Sequence, residues 1–342
     1  MRTVAALAVV VSHAFLLSDG SYAREPVSAI GDGRNTIGGL AVLVFFVLSG
    51  YLITRSYDLG PDPRRFITAR LLRIMPGFIV VVLLAALVVG PICSTWTTLD
   101  YFGSIGPARY IFGNLTFLLR VDTLPGVFTT NPFPLAVNGS LWTLRFEVLG
   151  YALILALGMA GLLTRWVITG LMASALVVLA WLGHPHSGLE FLTDFLGGAA
   201  FYLWRAHVRP SVMLGCAALC GAALFANEFR LVSASAGAVV ILSIATSRRL
   251  RLPNVTRYGD LSYGIYIYAF PIQQVVTSWI GPGHWAVNLI LALPPTLICA
   301  ALSWHLIEKR ASRWRPGTYA WRRVLSGRKN AAAAHPAGDD SP

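Results

Sequence analysis

Residues 2–15 read RTVAALAVVVSHAF, an apolar run with an arginine at one end and a histidine, His13, near the other. Whether this run lies in water or in lipid decides the fold. A polar side chain inside a bilayer needs a partner and is by default a candidate for function. Composition answers the question. Hydrophobic residues make up 56% of the 342 and charged residues 12%, where an average globular protein carries roughly 25% charged residues. So little charge does not coat a water-soluble surface, and the chain reads as a polytopic membrane protein.

The net charge of +12 is not a nucleic-acid signal, because Lys and Arg cluster in short loops and in the tail, as the positive-inside rule requires of cytoplasmic segments. Cys216, Cys220 and Cys299 lie in apolar segments and Cys93 at a segment end, so all four read as small buried hydrophobes without a disulfide framework. Continuous apolar runs without period-two alternation do not suit a barrel. The fold class is therefore all-α, a polytopic transmembrane helical bundle.

The expected spans are Thr3–Leu17, Gly38–Thr54, Ile74–Ile92, Leu141–Leu163, Trp166–Gly183, Leu189–Trp204, Val212–Ala226, Leu231–Ala245, Leu261–Ile280 and Ala286–Leu306. The first is short for a bilayer of roughly 20 helical residues. It implies either a helix that begins below the membrane face or residues upstream of Met1. The stretch Gly103–Leu119 is apolar but interrupted by Gly106, Pro107 and Arg109. As a full span it would throw the basic loop 248–257 and the tail EKRASRWR (308–315) to the outside, against the charge rule. As an interfacial or re-entrant element it leaves about ten spans, with both termini cytoplasmic. A long outer loop from Cys93 to Ser140 then folds over the mouth of the bundle. Residues 1–315 form one membrane-embedded domain, and 316–342 a basic, then low-complexity, cytoplasmic tail.

Arg2 and His13 are eleven positions apart, so they share a helix face (about 20° apart in phase) at depths differing by about 16 Å. One reading is an interfacial anchor plus a satisfied core histidine; the other is a pathway or site. Glu147 begins a span beside Arg145, which suits either a headgroup ion pair or a carboxylate that orients His13 or holds a cation. Ser49-Gly50 within a span reads as a kink, a close helix approach or plain small-residue packing. Arg70 and Arg73, three apart, share a face. Arginine forks suit phosphate, although charge alone favours ordinary membrane anchoring. His184 and His186 lack a third ligand nearby, so no metal site is expected. No phosphate loop, dinucleotide fingerprint or nucleophile elbow occurs.

Taken in order, RTVAALAVVVSH, FFVLSGYLITRS, RFITARLLRIMP, NGSLWTLRFEVLGY, LSYGIYIYAFP and HLIEKR resemble the motifs of the integral-membrane acyltransferase-3 family, the O-acetylases of bacterial surface sugars. The likeness covers about residues 1 to 315. It implies a bacterial inner-membrane enzyme moving an acyl group, usually acetyl, from cytoplasmic acyl-CoA to a hydroxyl of a cell-surface or lipid-linked glycan. Acyl-CoA is then a co-substrate, with no permanently bound cofactor, metal or nucleic acid. By that resemblance His13 is the general base, with Glu147 orienting it, and Arg2 either assists the arginines that hold the CoA or orders the helix entrance. Arg70 and Arg73 grip the CoA phosphates, Ser49 and Gly50 line the pantetheine route, and Trp142 and Tyr151 lie on the acceptor side. Chemically this is coherent: a thioester needs no metal, a sugar hydroxyl must lose its proton, and low-dielectric surroundings favour the uncharged imidazole that removes it. A transient acyl-histidine is the variant. Many relatives carry a histidine before the proline of the closing tyrosine-rich segment. Here the sequence is Tyr268-Ala269-Phe270-Pro271, so that position is assigned no catalytic role. The rival function is a transporter or flippase for a lipid-linked saccharide, with the same residues lining a pathway.

Overall fold

The computed structural model describes residues 1–30, 35–117, 119–182, 187–225, 232–247 and 259–314. His184, His186, the basic loop 248–257 and the tail from 315 onward lie outside the described residues. Among the described residues the chain is helical, with only two isolated bridges, Ser94 with Val127 and Thr123 with Ala136. Among the described residues six helices are long and apolar enough to cross a membrane. They are α1 (Arg2–Asp19), α2 (Ile37–Asp58), α3 (Pro63–Leu84, prolonged through a π-helical turn at Ala85–Val89 to Cys93), α5 (Leu144–Met159, with Leu141–Thr143 before it), α6 (Arg165–Leu182) and α11 (Trp285–Leu302, prolonged to Trp314). Between them stand α4 (Gly106–Leu115), α7 (Ser187–Trp204), α8 (Pro210–Phe225), α9 (Ala238–Thr246) and α10 (Ser262–Ile280).

The lipid reading follows from what α6 leaves uncovered. Only 6% of its apolar window is buried in the protein, and Trp166, Val177 and Trp181 point outward. A surface this apolar is stable against acyl chains, not water. The helix α1 is the opposite case. It packs against α2, α10 and α11, with Ala5, Ala6, Val9, Val10 and Ala14 buried. Local signals set the helix ends. Thr36 caps α2 by accepting from the Gly39 N–H, and Asp62 caps α3 by accepting from the N–H groups of Arg64 and Arg65, with Pro63 in the first turn. At the end of α1, Gly20 adopts φ 74°, and a Cβ there would stand 2.8 Å from the Pro132 carbonyl oxygen.

Among its described residues the stretch Gly103–Leu119 holds no helix as long as those six. Its helix α4 has ten residues, about 15 Å of rise, and packs beside α3. Apart from α4 and a short helix at Thr98–Gly103, the described residues of 94–140 are irregular, and residues 131–138 are clamped to α10. Gln274, wholly buried, donates to the carbonyls of Phe133 and Ala136 at 2.9 and 2.8 Å, and its side-chain oxygen accepts from Asn131 at 2.7 Å. Asn138 donates to the Ile267 carbonyl at 2.8 Å. Replacing Gln274 with Leu strands these buried groups, at a cost of about 1–3 kcal/mol for each left unpaired. Limited proteolysis of the purified variant is expected to cut within 94–140 well before the wild type; an unchanged digestion pattern would show that the clamp holds nothing.

All four cysteines are free and half-buried, so they are less enclosed than the sequence suggested.

Candidate active site

The helices α1, α2, α3, α5 and α10 surround a cavity of about 300 Å³. Six of the expected residues line it: Arg2, Ser49, Arg70, Arg73, Glu147 and Tyr151. The cap at Asp62 starts α3 in the register that turns both Arg70 and Arg73 inward, three residues apart on one face.

These cations are not equivalent. Arg73 is compensated: Nη2 lies 2.6 Å from Asp260 and Nη1 3.6 Å from Glu308, with the rings of Tyr263 and Trp304 at 5.8 and 5.9 Å. Burial by itself would raise the Asp260 carboxyl, but the Arg73 guanidinium, with the Ser262 hydrogen bonds, holds it below its usual range. Arg70 gives one hydrogen bond to the Ser56 hydroxyl at 3.0 Å and lies over the Phe66 and Tyr151 rings. Its Nε is buried without a partner, as is the Nε of Arg2. Among the described residues no carboxylate forms an ion pair with Arg2 or Arg70. Buried guanidinium groups left so under-satisfied point to an anionic ligand.

Glu147 accepts from the Ser49 hydroxyl at 2.9 Å and from the Tyr151 hydroxyl. It is thereby tied to α2 and to its own helix, and the expected pairing with His13 is not made. Tyr151, expected on the acceptor side, instead shares the cavity of the arginines. Trp142 is outside that cavity. It packs on Phe146 and Phe191 beneath Arg120, and borders a smaller cavity with Glu190 and Asp194. Gly50 is a packing residue: a Cβ there would stand 1.9 Å from the Phe195 carbonyl oxygen, and one on Gly198 would stand 2.0 Å from that of Val47. The two glycines let α2 and α7 touch backbone to backbone, away from the cavity.

His13 lies off the cavity as well. Its ring meets Phe270 edge-on at 5.1 Å, and its Nδ1 is buried with no hydrogen-bond partner. The residues between are aromatic. Along one face of α10, Tyr263 and Tyr266 line the cavity, and Phe270, one turn further, touches His13. Ala269 is buried with Ala6 and Val10 in the α1–α10 contact. The sequence reading missed Asp260, which is a lone acid beside an undistinguished loop and becomes a partner only when α10 meets α3. It also missed Glu25. This carboxylate is fully buried and accepts from the Ser12 hydroxyl at 2.6 Å and from the N–H groups of Ser28 and Ile37 at 3.1 and 2.7 Å. It thus ties the connection after α1 to the residue beside His13.

Lipid-facing helices around a cavity lined by under-satisfied arginines define a multi-pass membrane protein. The family model described as an acyltransferase domain, acyltransferase 3, matches residues 1–305. The chain belongs to this acyltransferase-3 family and is a membrane acyltransferase of the O-acetyltransferase class. It is similar to a protein of Shigella phage Sf6 named O-acetyl transferase, with 28% identity over 327 residues covering 90% of this chain and 93% of the relative. It is also similar to Nodulation protein 10 of Rhizobium leguminosarum bv. viciae, with 27% identity over 364 residues and 94% of each chain covered. No solved structure matches.

Proposed function

We propose that the protein transfers a short acyl group, acetyl in the simplest case, from cytoplasmic acyl-CoA to a hydroxyl of a cell-surface or lipid-linked glycan. The observation that carries this reading is the cavity itself. Among the described residues Arg2 and Arg70 have no ion-pair partner at the end where α1 begins and α2 ends, and an aromatic wall stands at the other. Anionic phosphates at the first end and a thioester arm running inward match that polarity. Arg73, already paired, anchors the wall rather than the ligand. Glu147 braces Ser49 and Tyr151 beside the arginines.

In this scheme the acceptor oxygen attacks the thioester carbonyl carbon, forming the C–O ester bond as the C–S bond breaks. The hydroxyl proton passes to the neutral His13 and then to the departing thiolate, so protons balance and no metal takes part. His13 sits across the aromatic layer from the donor cavity, on the side of segment 94–140. It therefore serves the acceptor, and the two substrates meet at that layer.

Charge placement completes the topology: about ten spans, both termini in the cytoplasm, 94–140 outside, and the chain in the bacterial inner membrane. The enzymatic domain covers 1–315 and a cytoplasmic tail 316–342. Purified protein given radiolabelled acetyl-CoA and an envelope glycan pool tests the whole. Label in glycan is the expected result. Saccharide translocation without label transfer would favour a flippase and defeat the proposal.

A further inference from the structure

Resting on that donor reading, we propose that Phe45, backed by the Tyr266–Thr143 pair, sets the acyl-chain length and confines the enzyme to short acyl donors. The argument starts from the polarity of the cavity. Its under-satisfied cations lie at one end, so a donor held there by phosphate points its acyl group to the other. The α2 lining runs between these ends from Leu52 to Val42, about 15 Å of helix.

One turn short of Val42 at the inner end, Phe45 is half-buried and offers its ring to the cavity, with the Tyr266 ring 5.7 Å away at 63°. The Tyr266 and Thr143 hydroxyls are hydrogen-bonded at 2.7 Å, which fixes the Tyr266 ring across the end of the cavity. Behind the pair there is no slack. Phe270, one turn on, is buried at 1% exposure, and a Cβ on Gly139 would stand 2.6 Å from its ring. Extra methylenes on the acyl group would have to force this packed layer apart, and interiors of this density resist added volume. Phe45 is the adjustable member, because it is partly uncovered and makes no hydrogen bond. Tyr266 is held by Thr143, and Phe46 is stacked on Phe191 at 4.8 Å.

The test measures free CoA released from acetyl-, butyryl- and hexanoyl-CoA by the full-length protein in vesicles, with envelope glycans as acceptor. Wild type is expected to prefer acetyl. The variant Phe45→Ala is expected to raise the butyryl-to-acetyl rate ratio by at least about 10-fold, the low end of what even one of the two added methylenes commands in an apolar pocket. Leu52→Ala, which enlarges the cavity at the cation end, is expected to leave the ratio where it was. Should Phe45→Ala fail to fold, Phe45→Leu is expected to shift the ratio the same way by less. A wild-type ratio in the folded Phe45 variant, or an equal shift from Leu52→Ala, overturns the proposal. So does a wild type that uses hexanoyl-CoA as fast as acetyl-CoA, and in these cases the donor reading survives. Inactivity of wild type with every thioester removes the donor reading and this inference together.

Discussion

Replacing His13 with Ala is expected to lower acyl transfer by about 10²- to 10⁴-fold, the range of a positioned general base, while acyl-CoA binding stays as in wild type. The split follows from geometry. His13 does not line the donor cavity, whose cations and aromatic wall are all supplied by other residues. Its own surroundings are Phe270 and the α1 contacts, and its Nδ1 has no partner to lose. Removal therefore takes away a proton acceptor and little packing. Single-turnover transfer and equilibrium binding of acetyl-CoA, measured on the same folded preparation, separate the two effects. Undiminished transfer would take His13 out of the mechanism. A parallel loss of binding would place it in the donor site and move the aromatic layer out of its assigned role.

The second large effect concerns the arginines, and it runs in opposite directions for neighbours. Arg70→Gln removes a half-buried cation that has no ion pair among the described residues, and Arg2→Gln does the same at the head of α1. Each is expected to weaken acetyl-CoA binding by about 10- to 150-fold, the worth of a charge-assisted hydrogen bond of roughly 1.5–3 kcal/mol. Arg73→Gln should leave the ligand comparatively unaffected and damage the fold. It strands Asp260 and the buried Glu308, whose partner it is at 2.6 and 3.6 Å, and breaking one side of such a pair costs about 3–5 kcal/mol. Thermal unfolding in detergent reads the Arg73 effect, and ligand titration reads the other two. If Arg70→Gln alters only insertion or expression, its charge serves topology, as charge counting alone had suggested. If Arg73→Gln binds as poorly as Arg70→Gln and unfolds like wild type, the division of labour drawn here is wrong.

Particular residues show why some of this was readable from the chain. Helix-length apolar runs, the Thr36 and Asp62 caps and the arginine spacing are local properties. A residue's neighbours at three and four positions suffice to place it on a face. Hence Ser49, Arg70, Arg73 and Glu147 could be singled out before any fold was known, and all four line one cavity. Gly50, adjacent to Ser49, points about 100° away around the helix and meets α7 instead. That contact depends on Gly198, more than 140 residues distant. The segment 94–140 is another such case. Phe128 and Leu135 sit at φ 53° and 67°, in a region that side chains of this kind avoid, and only tertiary contacts such as the Gln274 clamp make that tolerable.

By itself, then, the sequence determined the solvent, the all-helical class and the shortlist of polar residues in its apolar segments. Hydrophobicity, periodicity and charge placement are additive along the chain and need no partner to be read. Tertiary structure alone decided that Arg73 is ion-paired while, among the described residues, Arg2 and Arg70 are not, that Glu147 answers to Ser49 and Tyr151, and that aromatic rings stand between His13 and the cavity. Whether a buried charge is satisfied, and whether two polar groups share one space, depends on atoms brought together from distant parts of the chain. Only the packing of the helices supplies those atoms.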